Sequence, residues 1–103
     1  MRDKAAVDNN QAEIVKAFRD AGAFVKDVHQ LKNAFDILVA WRGELLAVEI
    51  KDGTLPPSQR KLSDGERIFH NDMADHGVKV YIVTSVKDVY KVLNLLYCER
   101  GKK

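Results

Sequence analysis

Three residues have types and spacing that can do chemistry together: Asp36, Glu49 and Lys51. They lie in two nearly continuous apolar runs, 35–41 and 44–51, separated only by Arg42-Gly43. Short runs flanking a two-residue break with a glycine predict a β-hairpin. In that hairpin Trp41 faces Glu44, and counting outward pair by pair sets Asp36 against Glu49. Directly opposed side chains share a face, with Cβ atoms roughly 4.5–5.5 Å apart. Lys51, two residues past Glu49, projects from that same face. Its other members, Leu38, Ala40, Leu45 and Ala47, are apolar. The three charges therefore gather at one end of an otherwise apolar surface.

Two opposed carboxylates destabilise a strand pair, and strands seldom carry them side by side. A divalent cation between them removes the conflict. Two carboxylates with room for waters and a phosphate oxygen suit Mg²⁺, which keeps part of its hydration shell. Such an ion acidifies a bound water and stabilises charge building on phosphorus. Lys51 would orient or help deprotonate that water and neutralise the developing charge. The plainer reading pairs Asp36 with Lys51 at a strand start and leaves Glu49 on the rim, as suits an isolated Glu-x-Lys. The register, the apolar surroundings and the order of elements favour a site.

The elements that must position these residues follow from patterning. A first helix runs from Asn9 or Asn10, both good N-caps, to about Ala21. Its apolar stripe is Ile14, Phe18 and Ala21, with Val15 flanking, and Gly22 ends it. Residues 23–29 read as an exposed strand, and the hairpin strands follow. Because both hairpin strands are apolar on both faces, layers are expected on both sides of the sheet. Residues 52–62, with Pro56-Pro57, form a loop. Ser63-Asp64-Gly65-Glu66 has the spacing of a capping box and opens a second helix to about His76, stopped by Gly77. Residues 78–84 form another strand, and Thr84 or Ser85 caps a last helix carrying Val86, Val89, Tyr90, Leu93 and Leu96. The order αβββαβα predicts an α/β fold, a single mixed sheet flanked by helices.

A chain of 103 residues makes one domain, 1–103, with 1–8 and 99–103 read as flexible tails. At 46% hydrophobic and 31% charged it matches an ordinary soluble globular protein. The single cysteine, Cys98, excludes an internal disulfide and a cysteine-based zinc site. No apolar run reaches membrane-spanning length and the start is polar, so no membrane association and a cytoplasmic location are expected. A net charge of +2 neither demands nor excludes nucleic acid. Lys51, Arg60, Lys61 and Arg67 lie close in sequence, and Arg100, Lys102 and Lys103 end the chain. Such runs are by default solvated surface and gain meaning only beside a site.

Other candidates carry less. His29, His70 and His76 show no i, i+4 pairing and read as surface or satisfied core residues. Trp41 beside the turn could stack on a base, with anchoring of the hairpin the plainer reading, and the tyrosines read as core or rim. Cys98 has no histidine placed to activate it.

Phe35-Asp36, followed by Glu49-Ile50-Lys51 on the next strand of an αβββαβ order, resembles the PD-(D/E)xK nuclease superfamily. The likeness is greatest to small phage and bacterial VRR-NUC-like proteins related to Holliday-junction resolvases. Gln11-Ala12-Glu13-Ile14, Arg42-Gly43, Lys51-Asp52-Gly53 and Leu62-Ser63-x-x-Glu66 share in it, so it spans roughly residues 9–93. Phe35 stands where that family usually has proline. The resemblance implies a metal-dependent DNA endonuclease, selective for branched, flap or junction DNA, in a bacterial or phage-infected cell. Asp36, Glu49 and the Ile50 carbonyl would bind Mg²⁺ or Mn²⁺, and Lys51 would be the catalytic lysine. Glu13 would approach from the first helix. Glu66 would take a position often held by Gln, or serve only as the capping residue; Gln59 matches that glutamine only if the loop is shorter. A homodimer would suit a two-fold junction. Competing readings are a non-catalytic DNA-binding module of the same fold and a protein-interaction domain whose charges are surface decoration.

Overall fold

The computed structural model describes residues 9–28, 30, 31 and 33–101, with the backbone alone for 98–101. The elements are α1 (Gln11–Asp20), β1 (Phe24–Asp27), β2 (Ile37–Trp41), β3 (Glu44–Ile50), α2 (Asp64–Asp75), β4 (Val80–Val83) and α3 (Val86–Gly101). This is the expected order, with one short 3-10 turn, Pro57–Gln59, added inside the loop. Residues 99–101, read from the sequence as part of a tail, continue α3. Residues 1–8, 102 and 103 lie outside the described residues, and so does His29.

The four strands form one sheet in the order β1-β2-β3-β4. The first three are antiparallel, and β4 joins β3 in parallel after the crossover through α2, so the sheet is mixed. Arg42 and Gly43 have φ of 49° and 85°. Two positive values in a two-residue loop match the twist of the flanking strands and fix the register. Trp41 pairs with Glu44 and Ile37 with Val48, as counted from the sequence.

One face of the sheet is packed. Ile37, Val39, Val48, Ile50 and Val83 meet Ile14 and Phe18 of α1 and Val89 of α3, all fully buried. The opposite face is covered only in part. α2 crosses it at the Glu49 end and buries none of its residues, while Phe24 and Leu45 stay 65% and 69% exposed. The expected second layer is thus a single polar helix, because α2 lacks an apolar stripe wide enough to seal the sheet.

Helix ends tie the layers together. Asn10 occupies the N-cap position of α1, but its side chain makes no cap bond. Its Nδ2 instead donates to the carbonyls of Lys51 (3.2 Å) and Thr84 (3.0 Å), where β3 and β4 end. One amide thus bridges the ends of the two neighbouring parallel strands. The capping box of α2 is present in full: Glu66 N–H donates to Ser63 Oγ and Ser63 N–H to Glu66 Oε1.

Candidate active site

The ladder that defines β2 stops at Ile37, one residue short of Asp36. Asp36 N–H donates to the Val48 carbonyl at 3.0 Å, although Val48 is already the partner of Ile37. Two residues of one strand thus face one of the other, which is a β-bulge, a device that re-aims side chains. The simple pairing of Asp36 with Glu49 counted from the sequence is corrected here by one step. The bulge turns the Asp36 carboxylate back toward β3, where Oδ2 accepts from Ile50 N–H at 2.7 Å. The side chains of Asp36 and Glu49 still meet, since each contributes to the other's electrostatics.

Glu49 lies on the face opposite the main core yet is 2% exposed. Burial, then the charges of Asp36 and Glu66, push its carboxyl up to about 9, with Lys51 opposing. Asp36 is also raised, chiefly by burial and against the pull of the Ile50 N–H. Burial and mutual repulsion thus both favour the protonated form of this acid pair.

Lys51 extends from the end of β3 between two carboxylates. Its Nζ is 3.0 Å from Glu66 Oε1 and 3.5 Å from Glu49 Oε2. Burial works against the ammonium, but the hydrogen bond to Glu66 and the charges of Glu49 and Glu66 outweigh it, so its pKa is raised. Lys51 is a cation here, not a free base. Glu66 stays ionised: burial opposes the charge, but the Ser63 N–H and Lys51 prevail and its pKa falls below the ordinary value. One Glu66 oxygen both closes the capping box and binds Lys51, so capping does not keep the side chain from the cluster.

The segment leaving the site is held tightly. Gly53 N–H donates to the Thr84 carbonyl at 3.1 Å. A Cβ at Gly53 would meet that carbonyl oxygen at 2.7 Å, so only glycine fits. Asp52 Oδ1 accepts from the backbone and hydroxyl of Thr54 and turns the loop away.

His70, dismissed on sequence grounds, belongs to the cluster. It sits one helical turn after Glu66 on α2, with its side chain 12% exposed and Nε2 4.0 Å from Glu49 Oε1. The four-residue spacing of Glu66 and His70 is the signal that could have found it. Burial lowers its pKa, with Glu66 opposing and Lys51 adding to the fall. The stacking of Phe35 on Phe69, centroids 5.8 Å apart, fixes this stretch of α2 against the strand start.

Glu13 is not drawn in. It is exposed in the first turn of α1, and no hydrogen bond or ion pair among the described residues ties it to the cluster. Gln59 is exposed in the 3-10 turn. Trp41 is the hairpin anchor expected of it: its Nε1 donates to the Ala21 carbonyl at 3.1 Å, and the Arg42 guanidinium lies over its ring.

The donor set fits a hard divalent cation. Asp36 and Glu49 would supply oxygens. The Ile50 N–H points to Asp36 while the neighbouring Lys51 N–H points to β4. Because N–H and C=O of one strand residue project to the same side, the Ile50 carbonyl also faces the Asp36 side. No group of three or more His, Cys, Asp or Glu side chains among the described residues forms a ready metal cage. Two carboxylates, a carbonyl and waters is the arrangement that Mg²⁺ tolerates.

No family model and no curated protein matches the chain. Among solved structures it is similar to a VRR_NUC domain, with a TM-score of 0.61 and 24% identity over 84% of this chain and 97% of that one. The chain therefore has a VRR_NUC-like, restriction-endonuclease-like fold, and its buried acid pair stands at the end of the two hairpin strands of that fold. No helix among the described residues is long and apolar enough to cross a membrane.

Proposed function

We propose that this protein is a divalent-metal-dependent DNA nuclease that hydrolyses phosphodiester bonds, with branched, flap or junction DNA as its preferred form. The observation that carries this reading is the buried pair Asp36 and Glu49 beside Lys51, for which a nuclease-like fold offers a use and the core does not. Asp36, Glu49 and the Ile50 carbonyl hold Mg²⁺ or Mn²⁺. When bound, the ion supplies positive charge at the scissile phosphate and a more acidic attacking water.

Lys51 brings a permanent charge to the phosphate oxygen that becomes more negative as the bond breaks. Glu66 fixes that ammonium at 3.0 Å, so little reorganisation is needed when substrate arrives. Lys61 and Arg67, both exposed around the start of α2, flank the site and would meet the phosphate backbone. The preference for branched DNA, a homodimer on a two-fold junction and a part for Glu13 rest on the family resemblance alone.

A panel of labelled linear, flap and four-way DNAs, incubated with Mg²⁺ or Mn²⁺, tests the reading. Metal-dependent cleavage that disappears in Asp36→Ala and Glu49→Ala is expected. Salt-sensitive binding without cleavage in either ion would make the protein a DNA-binding module instead.

A further inference from the structure

His70 Nε2 is a buried ring nitrogen with no hydrogen-bond partner among the described residues. A buried polar atom left alone destabilises the fold and calls for an explanation. Its surroundings narrow the choice. The nearest acidic oxygen is Glu49 Oε1 at 4.0 Å, too far for a hydrogen bond in this state. Glu49 Oε2, by contrast, faces Lys51. The two carboxylate oxygens of Glu49 are therefore watched from two sides, one by an ammonium and one by an imidazole. Both watchers are steadied by α2, because Glu66 and His70 stand four residues apart on it and face β3 together.

We infer that His70 is a positioning residue for Glu49: its Nε2–H takes hold of Glu49 Oε1 when that carboxylate binds a divalent cation. The inference rests on the reading of Glu49 as a metal ligand. A carboxylate holding a cation is ionised, and an ionised acceptor draws an N–H donor to about 2.7–2.9 Å. Roughly 1 Å of side-chain adjustment closes the gap, within reach of a rotamer shift on α2. The bond would fix which lone pairs of Glu49 are free for the ion, as partners of ligating carboxylates do elsewhere. It would also give the orphaned nitrogen its partner. His70 would touch neither the phosphate nor the ion, because its Nε2 is shut away from solvent.

The test is calorimetric titration of Mn²⁺ into the full chain without DNA, comparing wild type with His70→Gln, His70→Leu and Glu49→Gln. Glutamine can offer an N–H near the position of Nε2, whereas leucine fills the space without a donor. His70→Leu should bind Mn²⁺ about 10–100-fold more weakly, as loss of such a partner does. His70→Gln should stay within about threefold of wild type on the same ground. The metal-free melting temperature of His70→Leu should equal or exceed that of wild type, which a merely structural histidine would not allow. His70→Ala repeats the comparison if the leucine variant does not fold.

Equal Mn²⁺ affinity in wild type and His70→Leu overturns the inference. So does nitrogen hyperfine coupling in the spectrum of the bound Mn²⁺, since that would make His70 a direct ligand. If wild type and Glu49→Gln titrate alike, the carboxylate site itself falls, and the role of His70 with it. Failure of the His70 arm alone leaves the carboxylate site standing.

Discussion

Glu66 Oε1, the atom that accepts from Ser63 N–H to close the capping box of α2, also takes the ammonium of Lys51 at 3.0 Å. Glu66→Gln keeps an acceptor for both bonds but removes the charge. This variant should fold with a melting temperature near wild type and remain active. Glu66→Ala loses the cap and the anchor together, and should cost about 0.5–2 kcal/mol in denaturant unfolding besides lowering turnover. A drop in activity for Glu66→Gln at unchanged stability and saturating metal would mean that the charge itself is needed.

Glu49 carries the pH dependence. Its carboxyl is raised by burial to about 9 in the folded chain, while in the unfolded chain it titrates near the ordinary value. Between those limits the folded state binds the extra proton, so metal-free stability should fall as pH rises from about 4.5 toward 9. Glu49→Gln should flatten that slope and melt higher than wild type at pH 8. Metal should reverse the trend by binding the ionised form, with proton release visible in titrations run in buffers of different ionisation heat.

Lys51→Ala should retain metal binding and lose most turnover, because Lys51 lies beside the carboxylates without supplying a ligand oxygen. Lys51→Arg should rescue only in part, since the planar guanidinium cannot replace a compact ammonium between two carboxylates. Calorimetry in which metal binding vanishes with Lys51 would refute this division of labour.

Asp36→Ala removes the acceptor of the Ile50 N–H as well as one proposed ligand. Cleavage should be abolished. Stability without metal should change little, since relief of the clash with Glu49 offsets a lost hydrogen bond of about 1–3 kcal/mol. Asp36→Asn keeps an acceptor oxygen and relieves the repulsion, so it should melt above Asp36→Ala while being equally inactive.

Gly53→Ala should destabilise the protein by about 1–3 kcal/mol, the usual cost of forcing atoms into a filled space. The added Cβ would strike the Thr84 carbonyl oxygen. Because Gly53 lies two residues past Lys51, turnover should fall with stability. Unchanged melting would mean that the strand end gives way more easily than the close approach suggests.

How far the sequence reached depends on distance along the chain. The hairpin register follows from covalent spacing, because a two-residue turn leaves one way to count pairs from Trp41–Glu44 to Ile37–Val48. The αβββαβα order, the capping box at Ser63 and Glu66, and the grouping of Asp36, Glu49 and Lys51 came from the same local rules. Counting failed at the bulge: Asp36 leaves the register with β3, where its carboxylate, rather than a backbone carbonyl, takes the Ile50 N–H. Where α2 lands could not be counted at all. Its approach to β3 is set by the crossover to β4 and by the stacking of Phe69 on Phe35, contacts between residues far apart in the chain. That placement decided that Glu66, already the cap of its helix, also holds Lys51, and that His70 looks onto Glu49. The types of the reactive groups were written in the sequence. Which of them meet was decided by packing, because side chains on different elements come together only where the core and the crossover bring their backbones within reach.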